Sequence, residues 1–144
     1  MAQAGEDLAS SRRPMAMLAP AALFALSNLN ILFVGNSLTA GNDLPGMVKA
    51  LLQSQGRDRQ VSVQYHPAAH LNDVTANRNL VAQLTRGTWN VVVLQGASVS
   101  MSHKYTYPQD GGIALAKAAI RGGAKCLLYS EWSRRGENET EYTE

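Results

Sequence analysis

Cysteine is almost absent: Cys126 is the single thiol among 144 residues. It has no partner for an internal disulfide and no second thiol to share a zinc site, so neither scaffold is available. On its own, Cys126 reads as a small apolar core residue. No uncharged apolar run reaches the roughly 18–20 residues that span a bilayer, which excludes a transmembrane helix. An excess of one charge sign is also lacking. Thirteen Lys and Arg stand against eleven Asp and Glu, a formal net charge of +2, too small for the basic field of a nucleic-acid-binding protein. There is no internal repeat and no low-complexity tract. What is present, 45% hydrophobic and 17% charged residues, is the composition of one globular domain.

Residues 1–28 stand apart. The stretch from Met15 to Leu26 follows Arg12-Arg13 and leads into Ala25-Leu26-Ser27, which suits the apolar core and cleavage site of a signal segment. Glu6 and Asp7 count against that reading; the alternative is a loose N-terminal extension or an early helix lying on the domain, with a cytoplasmic location favoured over export. The domain itself is expected over 29–144.

From Asn30 the pattern becomes regular. Ile31 to Val34 is a short β-branched and apolar run stopped at Gly35, as in a strand buried on both faces. Asp43 caps a helix with Pro45 in its first turn, apolar residues recur from Leu44 to Leu52, and Gly56 ends it. Val61 to Tyr65 reads as a second strand and about 72–86 as a helix closed by Gly87. Trp89 to Leu94 is a third strand, Ile113 to Arg121 a helix released at Gly122-Gly123, and Ala124 to Tyr129 a fourth strand. Such alternation predicts α/β architecture, a three-layer α/β/α sandwich on a parallel sheet joined by right-handed crossovers. Ligands of such sheets lie beyond the carboxyl ends of the strands. Here these are the segments beginning at Gly35, His66, Gln95 and Ser130.

The first of these segments, GNSLTAGND from Gly35 to Asp43, is expected to use Gly35 as a positive-φ turn and to present Ser37 at the sheet edge. It is not a Gly-x-Ser-x-Gly elbow, since Thr39 holds the last position. Nor is it a Walker loop, because Asn42 stands where lysine is required.

ILFVGNSLTAGNDLP resembles block I of the SGNH, or GDSL-like, hydrolase superfamily, with Asn36 in place of the usual Asp, and the resemblance runs from about 30 to 132. It implies an SGNH/flavodoxin-like fold and an ester hydrolase in which Ser37 is the nucleophile and its own N–H one arm of an oxyanion hole. The stretch HPAAHLNDV matches block II, whose glycine N–H is a second arm; Ala68 or Ala69 must serve there, Ala69 being the expected donor. The third strand ends Leu94-Gln95-Gly96-Ala97-Ser98, similar to the Gln-Gly-Glu-Ser of the sialate and xylan acetylesterase branch. The likeness makes the Gln95 amide a third donor, a role a carboxamide suits chemically.

Block V of the superfamily, Asp-x-x-His, does not occur. Val63, Pro67 and Ser100 stand three before His66, His70 and His103. The resemblance implies that a C-terminal strand and helix are missing from these residues, with about four strands present, and that Leu127 and Leu128 are left exposed. His70 or His103 would be the substitute base. No metal or organic cofactor is implied. The expected partner is a small-molecule or carbohydrate ester, with an acetyl group the leading acyl. The alternative from a different class is a non-catalytic module that holds a small ligand or sugar in the same crevice. Asn42 and Asp43 read as turn and cap, and Trp89 and Trp132 as packing residues.

Overall fold

The computed structural model describes residues 28–55, 60–97 and 107–130. Four strands, β1 (Leu29–Gly35), β2 (Val61–Pro67), β3 (Val91–Gln95) and β4 (Lys125–Tyr129), form one sheet in the order β2-β1-β3-β4. Every pairing is parallel. The expected α/β fold is therefore observed. β1 is central, and its apolar run has strand neighbours on both sides, which accounts for the near-complete burial of Leu32 and Val34.

Among the described residues, five α-helices and a 3-10 turn at Gly41–Asp43 connect the strands: α1 (Ser37–Ala40), α2 (Leu44–Ser54), α3 (Leu71–Val74), α4 (Arg78–Thr85) and α5 (Asp110–Arg121). β1 leads to β2 on one side and β2 returns to β3 on the other, so right-handed crossovers place α2 and the α3–α4 pair on opposite faces. Alternation along β1 serves both layers. Leu32 and Val34 join Val92 and Leu94 under Val74, Leu80, Leu84, Leu115, Ala118 and Ala119, while Ile31 and Phe33 point to the α2 side and are equally buried.

Several local expectations are met. Asp43 Oδ1 accepts from Gly46 N–H at 3.2 Å, and Pro45 lies in the first turn of α2. Helix α4 ends near Gly87 and α5 is followed by Gly123, both with positive φ, the left-handed geometry glycine adopts without a Cβ penalty. Trp89 is buried, as expected of a packing residue. Gly56 and Trp132 lie outside the described residues.

Three expectations are corrected. The helix expected over 72–86 is two helices, because Asn77 interrupts it and caps α4, its Oδ1 accepting from Leu80 N–H at 3.1 Å. Asparagine competes with the helical backbone by bonding it locally, which explains the break. Gly35 does not take positive φ; the left-handed residues of that loop are Asn42 and Asp43, both at φ 52°. Short polar Asx side chains tolerate that region. Cys126 is only half-buried, because β4 pairs with β3 alone among the described residues.

Candidate functional site

The sheet order defines where a ligand crevice should open. The order in which strands are added to the sheet reverses between β1 and β3, whose connections leave to opposite sides, and in open parallel sheets the crevice lies outside the carboxyl ends at such a switch point. β1 ends at Gly35 and β3 at Gln95, so Asn36, Ser37, Gln95 and Gly96 meet there. Two of the residues singled out in the sequence, Ser37 and Gln95, thus stand on adjacent strand ends.

Asn36 ties the two ends together. Its N–H donates to Gln95 Oε1 at 3.2 Å, its Nδ2 donates to the Gly96 carbonyl at 3.3 Å, and its Oδ1 accepts from Leu38 N–H at 2.9 Å as the cap of α1. A carboxylate at this position could make the cap but could not donate to Gly96, so the amide adds a cross-strand bond that Asp lacks.

Capping leaves one donor over. Leu38 N–H is taken by Asn36 Oδ1, while Thr39 and Ala40 N–H both reach the Asn36 carbonyl. Ser37 is the first residue of α1, where a helical N–H has no partner within the helix. Its own N–H has no partner among the described residues, and its side chain is exposed. The same accounting separates the two alanines. Ala68 N–H is bound to the Gly35 carbonyl at 2.7 Å, whereas Ala69 N–H has no partner among the described residues and Ala69 is exposed.

Gln95 is 3% exposed and Thr39 1% exposed, the only buried polar side chains among the described residues. Gln95 Oε1 accepts from Thr39 Oγ1 at 2.6 Å and from Thr39 N–H at 3.2 Å, in addition to Asn36 N–H. Backbone N–H groups only donate, so the atom facing them must be the carboxamide oxygen. Nε2, in the same plane, is thereby turned to the opposite edge of the carboxamide, away from those donors. On the α2 side, the Tyr65 hydroxyl lies 3.0 Å from the Gly35 carbonyl and 3.1 Å from that of Asn36, its single proton shared between the two acceptors. Thr39 and Tyr65 are supporting residues that sequence reasoning missed. Thr39 follows the serine by two in GNSLT, and a hydroxyl so close to a strand end was the available signal; Tyr65 gave none, being an ordinary strand residue.

The histidines are placed less favourably. His70 precedes α3 and packs its ring on Tyr107, with centroids 5.0 Å apart and planes tilted by 36°. His66 sits on β2 and lines a cleft of about 230 Å³ with Gln64, Asn77, Asn79 and Gln83. Among the described residues no hydrogen bond joins Ser37 to a histidine, and His103 and Ser98 lie outside them. Among the same residues no cluster of three His, Cys, Asp or Glu could hold a metal, and no helix is long and apolar enough to cross a membrane.

No protein-family model and no curated protein matches the sequence. Among solved structures, the chain is similar to a protein from Slackia heliotrinireducens assigned provisionally as an SGNH hydrolase, with 28% identity and a TM-score of 0.54. The similarity covers 75% of this chain and 59% of that one. The chain thus spans little more than half the length of that structure, and the two share the SGNH-type α/β fold.

Proposed function

We propose that the chain carries the nucleophile and oxyanion hole of an SGNH-type serine esterase, acting on short acyl esters such as acetyl groups on a carbohydrate. The observation that carries this reading is Ser37 at the switch point, with its own N–H left over after every other main-chain donor in the α1 turn has found an acceptor. The neighbour assigned as an SGNH hydrolase supports the same class. The acetyl-carbohydrate part rests on the likeness of Gln95-Gly96-Ala97-Ser98 to the acetylesterase motif.

In this mechanism Ser37 Oγ attacks the ester carbonyl carbon, and its proton passes to a general base. The Ser37 and Ala69 N–H groups and Gln95 Nε2 stabilise the charge that develops on the carbonyl oxygen. The tetrahedral intermediate collapses by breaking the bond to the alkoxide, which takes the proton from the base and leaves as the alcohol. Water then attacks the acyl-serine, with the base accepting its proton; the second intermediate collapses by breaking the bond to Ser37 Oγ, which takes that proton back from the base, and the carboxylic acid leaves. Each donor counts, since removing one from an oxyanion hole costs about 10²–10³ in kcat.

The test is hydrolysis of p-nitrophenyl acetate and acetylated xylan by the product of the full reading frame, beside Ser37→Ala. Acetate release abolished in the variant is the expected result; equal turnover in both proteins overturns the reading.

A second reading has its own observation. Ser37 meets no histidine among the described residues, and an N–H pair at a strand end suffices to hold an anion or a sugar hydroxyl without turnover. A further strand and an Asp-x-x-His encoded downstream of Glu144 would favour the enzyme, and a stop codon there the binding module.

A further inference from the structure

Gln95 can help an oxyanion only if its amide presents nitrogen to the crevice, and nothing in a glutamine side chain selects that orientation. A carboxamide turned by half a revolution has nearly the same shape but offers oxygen, which would repel the developing negative charge. Selection must come from the surroundings.

The surroundings here are three donors on one side. Two are main-chain N–H groups, of Asn36 and Thr39, each 3.2 Å from Oε1. The third and shortest contact is the Thr39 hydroxyl at 2.6 Å. This hydroxyl is buried with its acceptor, and a hydrogen bond made out of water is electrostatically stronger than one at the surface. A flipped amide would set its NH₂ against two N–H groups that can only donate.

We infer that Thr39 is a positioning residue of the oxyanion hole: its hydroxyl, with the two N–H groups beside it, locks Gln95 so that Nε2 faces Ser37. This rests on the proposed esterase reading for its catalytic meaning, whereas the lock itself is a property of the amide alone. Thr39 does not touch substrate. Its effect passes through Gln95 and should fall on the transition state, where the oxyanion exists, rather than on ester binding.

The experiment compares Thr39→Val, which keeps the shape and removes the hydroxyl, with Thr39→Ser, which keeps the hydroxyl and removes the methyl. With the full reading frame and p-nitrophenyl acetate, Thr39→Val is expected to lower kcat about tenfold or more with KM within about twofold, and Thr39→Ser to recover most of the loss. In parallel, the Gln95 Nε2H₂ pair is followed by ¹⁵N-correlated NMR on residues 1–144. The wild type and Thr39→Ser should show two separate, narrow proton signals, and Thr39→Val a broadened or shifted pair. An unchanged Gln95 pair in Thr39→Val overturns the lock, and so does a kcat loss that Thr39→Ser fails to recover. Should the valine variant not fold, Thr39→Ala carries the same comparison. If Ser37→Ala leaves turnover intact, the esterase reading fails while the NMR comparison still decides the lock.

Discussion

Gly35 and Gln95 pack backbone against side chain: a Cβ built on Gly35 would lie 2.8 Å from both Cβ and Oε1 of Gln95 and would also collide with Thr39 Oγ1. Glycine is needed there for closeness, not for an unusual dihedral. The strand ends that carry Ser37 and Gln95 come together because nothing stands between them.

Gly35→Ala is therefore expected to force Gln95 and Thr39 apart. Overpacking of this kind costs about 1–3 kcal/mol, seen as a lowered urea midpoint. Activity should fall further than stability does, because the displaced group is the proposed oxyanion donor. A variant with wild-type stability and turnover would show that the close approach is not required.

Tyr65→Phe removes a hydroxyl from beneath the serine turn without leaving its acceptors bare. The Gly35 carbonyl keeps Ala68 N–H, and the Asn36 carbonyl keeps Thr39 and Ala40 N–H. The expected loss is thus that of an ordinary hydrogen bond, about 0.5–1.5 kcal/mol, rather than the larger penalty of a buried unsatisfied group. Equilibrium denaturation of the two proteins measures it.

The strands and the serine turn were legible because their signals are local. Runs such as VVVL state burial on both faces, and Gly35 to Asp43 places a serine after one of them. The support of the site was not legible, since it depends on register. That Tyr65 reaches the carbonyls of Gly35 and Asn36 follows from Gly35 pairing with Pro67 across β1 and β2, and no periodicity reports that. The asparagines of 72–86 weaken the early part of that helix, but the apolar spacing of Val74, Leu80, Val81 and Leu84 continues through Asn77, so the sequence pattern alone does not place the break that its side-chain cap makes. Gln95 was named as a donor, yet the described bonds all engage its oxygen as an acceptor, and the two uses are compatible only because a carboxamide has two ends.

Leu128 is 78% exposed and Leu127 43% exposed on β4, in keeping with the apolar surface expected there. A strand edge carrying such residues invites pairing with another copy. Leu128→Lys should change stability by less than about 0.5 kcal/mol while delaying concentration-dependent light scattering of residues 1–144. Scattering that is unaffected would place the sticky surface elsewhere.

Burial raises the Cys126 thiol pKa above its ordinary value, so the native protein holds the proton more tightly than the unfolded chain. Stability from this source is complete below the ordinary thiol range and declines as pH rises through it toward the higher native value. Native Cys126 should accordingly react with a disulfide reagent at pH 8 more slowly than in urea, since the thiolate is the nucleophile. Cys126→Ala should flatten the alkaline decline in unfolding free energy.

Residues 1–144 by themselves are expected to be poor catalysts even if the oxyanion hole is formed. Serine at its free pKa is a weak nucleophile that needs a base within hydrogen-bond reach, and among the described residues no histidine bonds Ser37. In a serine protease, what survives loss of a triad member is about 10³–10⁴-fold over water, supplied by the oxyanion hole and binding. Assay of p-nitrophenyl acetate with this chain, beside Ser37→Ala, should accordingly show at most a small Ser37-dependent rate, far below the ~10 per second of an ordinary enzyme. Turnover near that value would mean that a histidine already present serves as the base. His103, which follows the Gln95 strand in the sequence, would then be the first to replace, with His70 second because its ring is engaged with Tyr107.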